Sequence, residues 1–242
     1  MMCYNLSINK NIGSIEKRFH ALFQNPDMFT PFYHISAFSI PLIPVILNKK
    51  PDSIQLFHWG LIPFWVKDKE FAEKIRFKTF NARSETVHEK PSFRTSIKNK
   101  RCLVIVDGFF EWREHNGKKY PYYIYMPDNT AFALAGIWDS WLNKKTNENL
   151  NTFSILTTGA NPLLEKIHNT KKRMPVILKK ENERKWIDES LNKDAIDTLM
   201  LPYDEDNLET HTVSKLVSVR KEDSNVPGAI EEFHFKDLPG LS

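Results

Sequence analysis

Arg101–Glu114, RCLVIVDGFFEWRE, is the stretch that decides how this chain folds. Cys102–Val106 is an unbroken apolar, β-branched run with the length of a strand buried on both faces. Asp107-Gly108 is expected to break it. Phe109, Phe110 and Trp112 then crowd around one carboxylate, Glu111. Held among aromatics, a carboxylate is disfavoured in its charged form, so its pKa rises towards the range useful for proton transfer. The plainer alternative is a strand-end Glu whose head reaches water while its stem packs.

Working outward, strands predominate. Val45–Leu47 and Ile54–Phe57 read as an antiparallel pair, and Tyr120–Met126, Ala131–Trp141 and Phe153–Thr157 as further strands. Met174–Leu178 begins another, and Thr210–Val219 alternates loosely as a late one. Helices interrupt them. Ile15, Phe19, Leu22 and Phe23 recur at helical spacing behind Ser14, and Asn161-Pro162 is an N-cap followed by Pro at the first helical position, for a helix over Leu163–His168. Two more helices are expected over Glu181–Glu189 and Asp194–Leu199. A short strand is expected to end at Asn81, and a helix to start near Thr86, which stands at capping-box spacing from Glu89. No strand–helix alternation is sustained. The predicted class is α+β, a single domain with a largely antiparallel, barrel-like β core and peripheral helices.

Composition bounds the rest. The chain has 242 residues, 41% hydrophobic and 26% charged, with aromatics at 12%. No Gly/Ser/Pro-rich linker divides it, so one domain is expected, with the motifs in residues 2–220 and a tail over 221–242. No apolar run approaches a membrane span, and no signal-peptide pattern opens the chain. Cys3 and Cys102 make neither a disulfide framework nor a metal-ligand spacing, which suits a reduced, cytoplasmic protein. The net charge of +4 permits nucleic-acid binding without requiring it. The basic clusters Lys98–Arg101 and Lys171–Arg173 read first as solvated surface.

Several side chains stand out for chemistry. Trp59–Trp65, with Gly60 and Pro63, reads as a loop carrying two indoles and a Phe. Such a loop either packs its aromatics inward or offers them as a platform for bases. Asn81 and Arg83 lie where a strand delivers side chains to a site, and Arg94 is a further candidate phosphate contact. His168 ends a helical turn before the basic loop 169–173. There is no P-loop, GxGxxG, HExxH, CxxC or GxSxG motif.

What remains is Cys3, Asn81, Glu111 and His168, each beside a local pattern. Met-Cys, Trp-Gly-Leu-Ile-Pro-x-Trp, Asn-Ala-Arg-Ser-Glu-Thr, Gly-Phe-Phe-Glu-Trp and His…Arg-Met-Pro-Val-Ile-Leu occur in that order. Together they resemble the SOS response-associated peptidase family, whose members shield abasic sites in single-stranded DNA. The resemblance implies a single α+β domain on a β-barrel-like core, a basic groove for single-stranded DNA, and removal of the initiator Met, partly by the protein itself, to expose an N-terminal Cys. It makes Cys3 the nucleophile, Asn81 an orienting or polarising group, and Glu111 and His168 proton carriers. It matches Arg83 and Arg173 to positions that hold DNA phosphates and the segment from Trp59 to Trp65 to the one beside the unstacked nucleotide; with Arg94 and Thr157 these are the expected DNA contacts. It implies a monomer with no metal or cofactor, cytoplasmic and nucleoid-associated when bound to DNA.

The chemistry is intelligible from the residues. A 1,2-aminothiol, which only an N-terminal Cys possesses, condenses with the aldehyde of an opened abasic sugar to a thiazolidine. Its amine, with a reference pKa of about 8, is partly neutral near pH 7. Thiol addition gains from thiolate, which nearby positive charge favours. Two departures from the family pattern are visible. The chain begins Met1-Met2-Cys3, so two residues stand ahead of the thiol, and Asn-Thr-Lys-Lys separates His168 from Arg173 where the family has a single residue. A thiol peptidase acting in trans and a non-catalytic single-stranded nucleic-acid binder are the alternatives.

Overall fold

The run at residues 101–106 becomes a strand buried along its whole length, and the strands beside it curl into a ring. The structure, a computed structural model of the chain, describes residues 3–219 and 223–241. The expectation about Met1-Met2 lies outside the described residues. In chain order the strands are β1 (Asn5–Ile8), β2 (Leu22–Phe23), β3 (Phe32–Ser36), β4 (Leu42–Leu47), β5 (Lys50–Trp59), β6 (Asn81–Arg83), β7 (Arg101–Val106) and β8 (Gly108–His115). They continue with β9 (Lys118–Tyr125), β10 (Phe132–Asn143), β11 (Glu148–Gly159), β12 (Arg173–Pro175) and β13 (Glu209–Thr212). The helices are α1 (Ile12–Phe19), α2 (Lys69–Arg76), α3 (Ser96–Asn99), α4 (Pro162–Ile167), α5 (Lys180–Trp186) and α6 (Lys193–Thr198).

Strands β5, β4, β7, β10 and β11 pair antiparallel in that order. β11 then meets β5 in parallel, Thr152 opposite His58 and Phe153 opposite Trp59, which closes the barrel. Closure leaves none of these strands with a free edge over the paired length. β2 extends the sheet from β5, while β6 and β12 attach to β11. A second, antiparallel sheet has the order β13-β9-β8-β1-β3. One apolar cluster runs through both, joining Val104 and Leu134 of the barrel to Leu6, Phe109 and Ile124 of the second sheet. The class is the α+β arrangement with a barrel-like, largely antiparallel core.

After Arg101, β7 is apolar to its end because both of its faces are covered. Outside the barrel, Trp186 of α5 donates its indole N–H to the carbonyls of Cys102 at 3.0 Å and Gly136 at 3.2 Å. Arg101 is buried too. It donates to the carbonyls of Ile97, Lys98, Trp186 and Asp188, so it caps the chain around α3 and α5 rather than joining a solvated basic cluster with Lys98 and Lys100.

The break at Asp107-Gly108 is where the chain leaves the barrel for the second sheet. Asp107 is buried, and its carboxylate accepts from the backbone N–H of Asn9 at 2.5 Å and of Lys10 at 2.9 Å. Gly108 is needed for space: a Cβ there would lie 2.4 Å from the Tyr123 ring. Replacing Asp107 by Ala leaves those amides without their acceptor, and we expect a loss of about 2 kcal/mol in urea unfolding.

Three local expectations give way. No helix starts at Thr86; a single 3-10 turn covers Ser84–Thr86, and the next helix is α3. Asn81 begins its strand rather than ending it, because the ladder partner is β11, with Asn81 opposite Ile155. Leu22 and Phe23 leave α1, capped at Asn11 instead of Ser14, and form β2 against β5. Tertiary pairing overrides the local periodicity in each case.

Candidate active site

Glu111 sits on β8 opposite Tyr122 of β9. Side chains alternate along a strand, so Phe109 and Glu111 face one way and Phe110 and Trp112 the other. Phe110 packs instead with Tyr123, Val213 and Val217 on the far side of the sheet. The expected ring of three aromatics around Glu111 is therefore not what buries it. Glu111 is 2% exposed because it points from the second sheet towards the body of the protein. Burial pushes its carboxyl up to about 8, against a smaller opposing pull from the Trp112 backbone N–H.

The other three candidates converge on this carboxyl. β1 runs antiparallel to β8 with Leu6 opposite Phe109, so continuing the register carries Tyr4 opposite Glu111 and Cys3 one residue beyond, near enough to feel the charge of Glu111. Cys3 is buried, and its carbonyl accepts from Asn81 Nδ2 at 2.9 Å. Burial, then the charge of Glu111, pushes the thiol well above its ordinary pKa. The setting is thus the reverse of the positive one expected to favour thiolate, and the thiol is held protonated until a base accepts its proton.

His168 follows α4, whose start is set by Asn161 accepting from Leu164 N at 2.8 Å. His168 Nδ1 lies 3.7 Å from Glu111 Oε2 and 2.9 Å from the carbonyl of Arg173. A carbonyl only accepts, so Nδ1 carries the proton of this bond, and in the neutral ring Nε2 holds the lone pair. The long spacing from His168 to Arg173 is absorbed by a turn in which Lys171 N and Lys172 N both donate to His168 O. Asn169 fastens this turn to β8, accepting from Glu114 N at 3.0 Å and donating to Glu114 O at 2.8 Å.

The expected DNA contacts divide. Arg83 and Arg94 are exposed, and Trp65 is 39% exposed. Trp59 is not a platform: it is fully buried, stacks on Phe153 with centroids 6.1 Å apart, and donates its indole N–H to Phe80 O at 2.8 Å. It ends β5, and the loop proper starts at Gly60, whose φ of +105° turns the chain. Thr157 is likewise buried in β11, where its carbonyl and hydroxyl accept from Arg173 at 2.6 and 3.2 Å. Arg173 is buried as well and forms a two-pronged pair with Glu85. Neither offers an open surface for a phosphate.

Two participants escaped the sequence reading. Glu85 lies inside the Asn-Ala-Arg-Ser-Glu-Thr motif, yet its partner Arg173 is 88 residues away. Tyr4, half-buried beside Cys3, rests against Phe38 at 5.3 Å and Phe80 at 6.0 Å. Among the described residues no group of three or more His, Cys, Asp or Glu could hold a metal ion. No helix of the described residues is long and apolar enough to cross a membrane.

A closed barrel beside an antiparallel sheet, with the Cys3 thiol, the Asn81 amide, the Glu111 carboxyl and the His168 imidazole as candidate groups near the first strand, is the frame on which the chain can be compared with known proteins. Residues 2–219 match the family described as SOS response associated peptidase (SRAP), and the chain belongs to that family. It is 38% identical over 237 residues to Abasic site processing protein YoqW of Bacillus subtilis (strain 168), covering 95% of this chain and 99% of that one. It is 34% identical over 222 residues to Abasic site processing protein HMCES of Xenopus tropicalis, covering 79% of this chain and 64% of that one. A crystal structure of a protein from Bacteroides thetaiotaomicron superposes with a TM-score of 0.90 at 40% identity, covering 96% of this chain and all of that one.

Proposed function

We propose that this protein senses abasic sites in single-stranded DNA and joins itself to them covalently through Cys3. The observation that carries the proposal is the buried Glu111 carboxyl, neutral near pH 7, set beside His168 and near enough to Cys3 for its charge to be felt there. The abasic site processing relatives supply the substrate class.

Hydrolysis of the bond between Met2 and Cys3 consumes one water and frees the α-amine, self-processing in which the same groups carry the protons. The amine attacks the aldehyde carbon, Glu111 passes a proton from nitrogen to the departing hydroxyl, and water leaves to give an imine. The thiol then adds to the imine carbon and its proton ends on nitrogen, closing the five-membered thiazolidine. In the ring opening that precedes the amine's attack, His168, through Nε2 when protonated, delivers a proton to the ring oxygen while the C1 hydroxyl gives up its own to water. The C1–O bond of the ring breaks as the aldehyde C=O forms. Asn81 keeps the Cys3 backbone in place for both nucleophiles. Single-stranded DNA suits the site because no pairing energy is spent to expose the lesion. Arg83 and Arg94 meet its phosphates, and Trp65 a neighbouring base.

The test is the intact mass of the protein before and after incubation with single-stranded DNA carrying one abasic site. We expect loss of both leading methionines, then gain of one DNA less one water. A chain that begins at Cys3 and gains no adduct refutes the covalent reading and leaves a DNA-binding module.

A further inference from the structure

Tyr4 follows the nucleophile directly and has no part in the chemistry assigned to its neighbours. It stays in the ladder beyond the end of β1, because the backbone N–H of Ala37, just past β3, donates to Tyr4 O at 2.8 Å. Across from it stands Glu111, by the register that sets Leu6 opposite Phe109. Facing residues of an antiparallel pair raise their Cβ atoms on one face of the sheet, about 5 Å apart. The phenol and the carboxyl are therefore side by side. The Tyr4 ring is flanked by Phe38 at 5.3 Å and by the edge-on Phe80 at 6.0 Å, and its hydroxyl meets the side chain of Asn81. We propose that Tyr4 is a further catalytic residue, whose hydroxyl donates a hydrogen bond to the aldehyde oxygen of the opened abasic sugar as the Cys3 amine adds. This deepens the cross-linking reading and rests on it for the substrate.

A donor is wanted there because Asn81 has none to spare. Its Nδ2 carries two protons. One goes to the Cys3 carbonyl at 2.9 Å. The other goes to the phenol. Burial, then the charges of Cys3 and Glu111, push the Tyr4 hydroxyl above its ordinary pKa, while the Asn81 bond pulls the other way. A bond that lowers the pKa of an acid is one given to its oxygen, so Asn81 is the donor and the phenol oxygen the acceptor. Asn81 Oδ1, though buried, takes no bond from any described residue. The phenol thus keeps its proton through neutral pH and has it to give, and accepting from Asn81 makes it the better donor.

When the amine nitrogen bonds to the aldehyde carbon, an electron pair of the C=O bond moves onto oxygen. The Tyr4 O–H stabilises that charge without parting with its proton. The oxygen then takes the proton that Glu111 carries from nitrogen, and no bond to Tyr4 forms or breaks. A role for the ring alone makes a different prediction. Phe38 is 55% exposed, so the rings reach from solvent to Cys3, and a base stacked on them would need no hydroxyl.

Tyr4→Phe, in a full-length chain that begins at Cys3, keeps the ring and removes only the hydroxyl. With single-stranded DNA carrying one abasic site, the saturating rate of adduct formation should fall about 30-fold, with affinity for an undamaged strand held within about 2-fold. Tyr4 replaced by 3-fluorotyrosine, a stronger donor of nearly the same size, should match or exceed the wild-type rate. A Tyr4→Phe protein that reacts at the wild-type rate overturns the proposal. So does a loss confined to DNA affinity, which makes Tyr4 a stacking surface. A second aldehyde, 2-deoxyribose 5-phosphate, separates the proposal from the reading beneath it. Should the wild type take up the sugar phosphate but not the DNA, the cross-linking reading falls, and the ratio of Tyr4→Phe to wild-type rates with the sugar phosphate still decides the role of Tyr4. A wild type that takes up neither ends both.

Discussion

Cys3→Ala, in a chain that begins at residue 3, abolishes the stable adduct with abasic single-stranded DNA but still yields one that borohydride can trap. Alanine keeps the α-amine, so condensation to the imine proceeds and stops there. Without the thiol no carbon–sulfur bond forms, and the imine hydrolyses when the DNA is denatured. We expect surviving adduct to fall by about 100-fold or more without reductant, and by far less with it. Binding to an undamaged single strand depends on phosphate contacts made elsewhere, and should change by no more than about 2-fold. Gel mobility and intact mass, each with and without reductant, read both outcomes. A Cys3→Ala protein that forms as stable an adduct as the wild type removes the thiazolidine from the mechanism.

Glu111→Gln has two expected effects of opposite sign. Adduct formation slows by about 100-fold, because the amide cannot carry a proton between the amine and the leaving hydroxyl. The wild-type rate rises as the α-amine loses its proton and falls as Glu111 loses its own near pH 8, so it peaks in that region. The variant keeps the rising limb and lacks the falling one. Stability moves the other way. The carboxyl titrates near 4.5 in the unfolded chain and near 8 in the folded protein. Between those values the folded state holds a proton that the unfolded state has released. The contribution of Glu111 is full below the lower value and is lost progressively as pH rises through the upper one. By pH 7 the loss is on the order of 3 kcal/mol, and glutamine does not incur it. The variant should therefore gain several degrees of melting temperature over the wild type between pH 5 and pH 8. Melting curves across that range that stay parallel would show that Glu111 is not held neutral.

What could be read from the sequence follows the reach of each signal. β7 announced itself because five consecutive apolar residues between Arg101 and Asp107 have few other solutions, and Asn161-Pro162 because a cap is a local device. The four central site residues were marked by motifs, each within a few positions of its own chemistry. Trp59 was misplaced because what buries it, Phe153, lies far along the chain and meets it only where the barrel closes. Phe110 and Trp112 were assigned to Glu111 by adjacency, whereas the strand sends them to the opposite face. The turn at Ser84–Thr86 shows the same limit: capping spacing was present, but β6 pairing with β11 takes precedence. Arg173 looked like a surface cation because Glu85, its partner, is not visible from 88 positions away.

The place of β1 carries one more consequence. The first strand of the chain is interior to its sheet, flanked by β3 on one side and β8 on the other. Its second partner, Gly108–His115, follows about a hundred residues later, and His168 later still. During synthesis β1 can meet β3 early but must wait about a hundred residues for its second ladder partner. The chemistry proposed for Cys3, which draws on Glu111 and His168, is thereby expected to be silent until both have been made. On the proposed function, a polypeptide cut short before β8 should therefore form no adduct with abasic DNA, which intact mass would read.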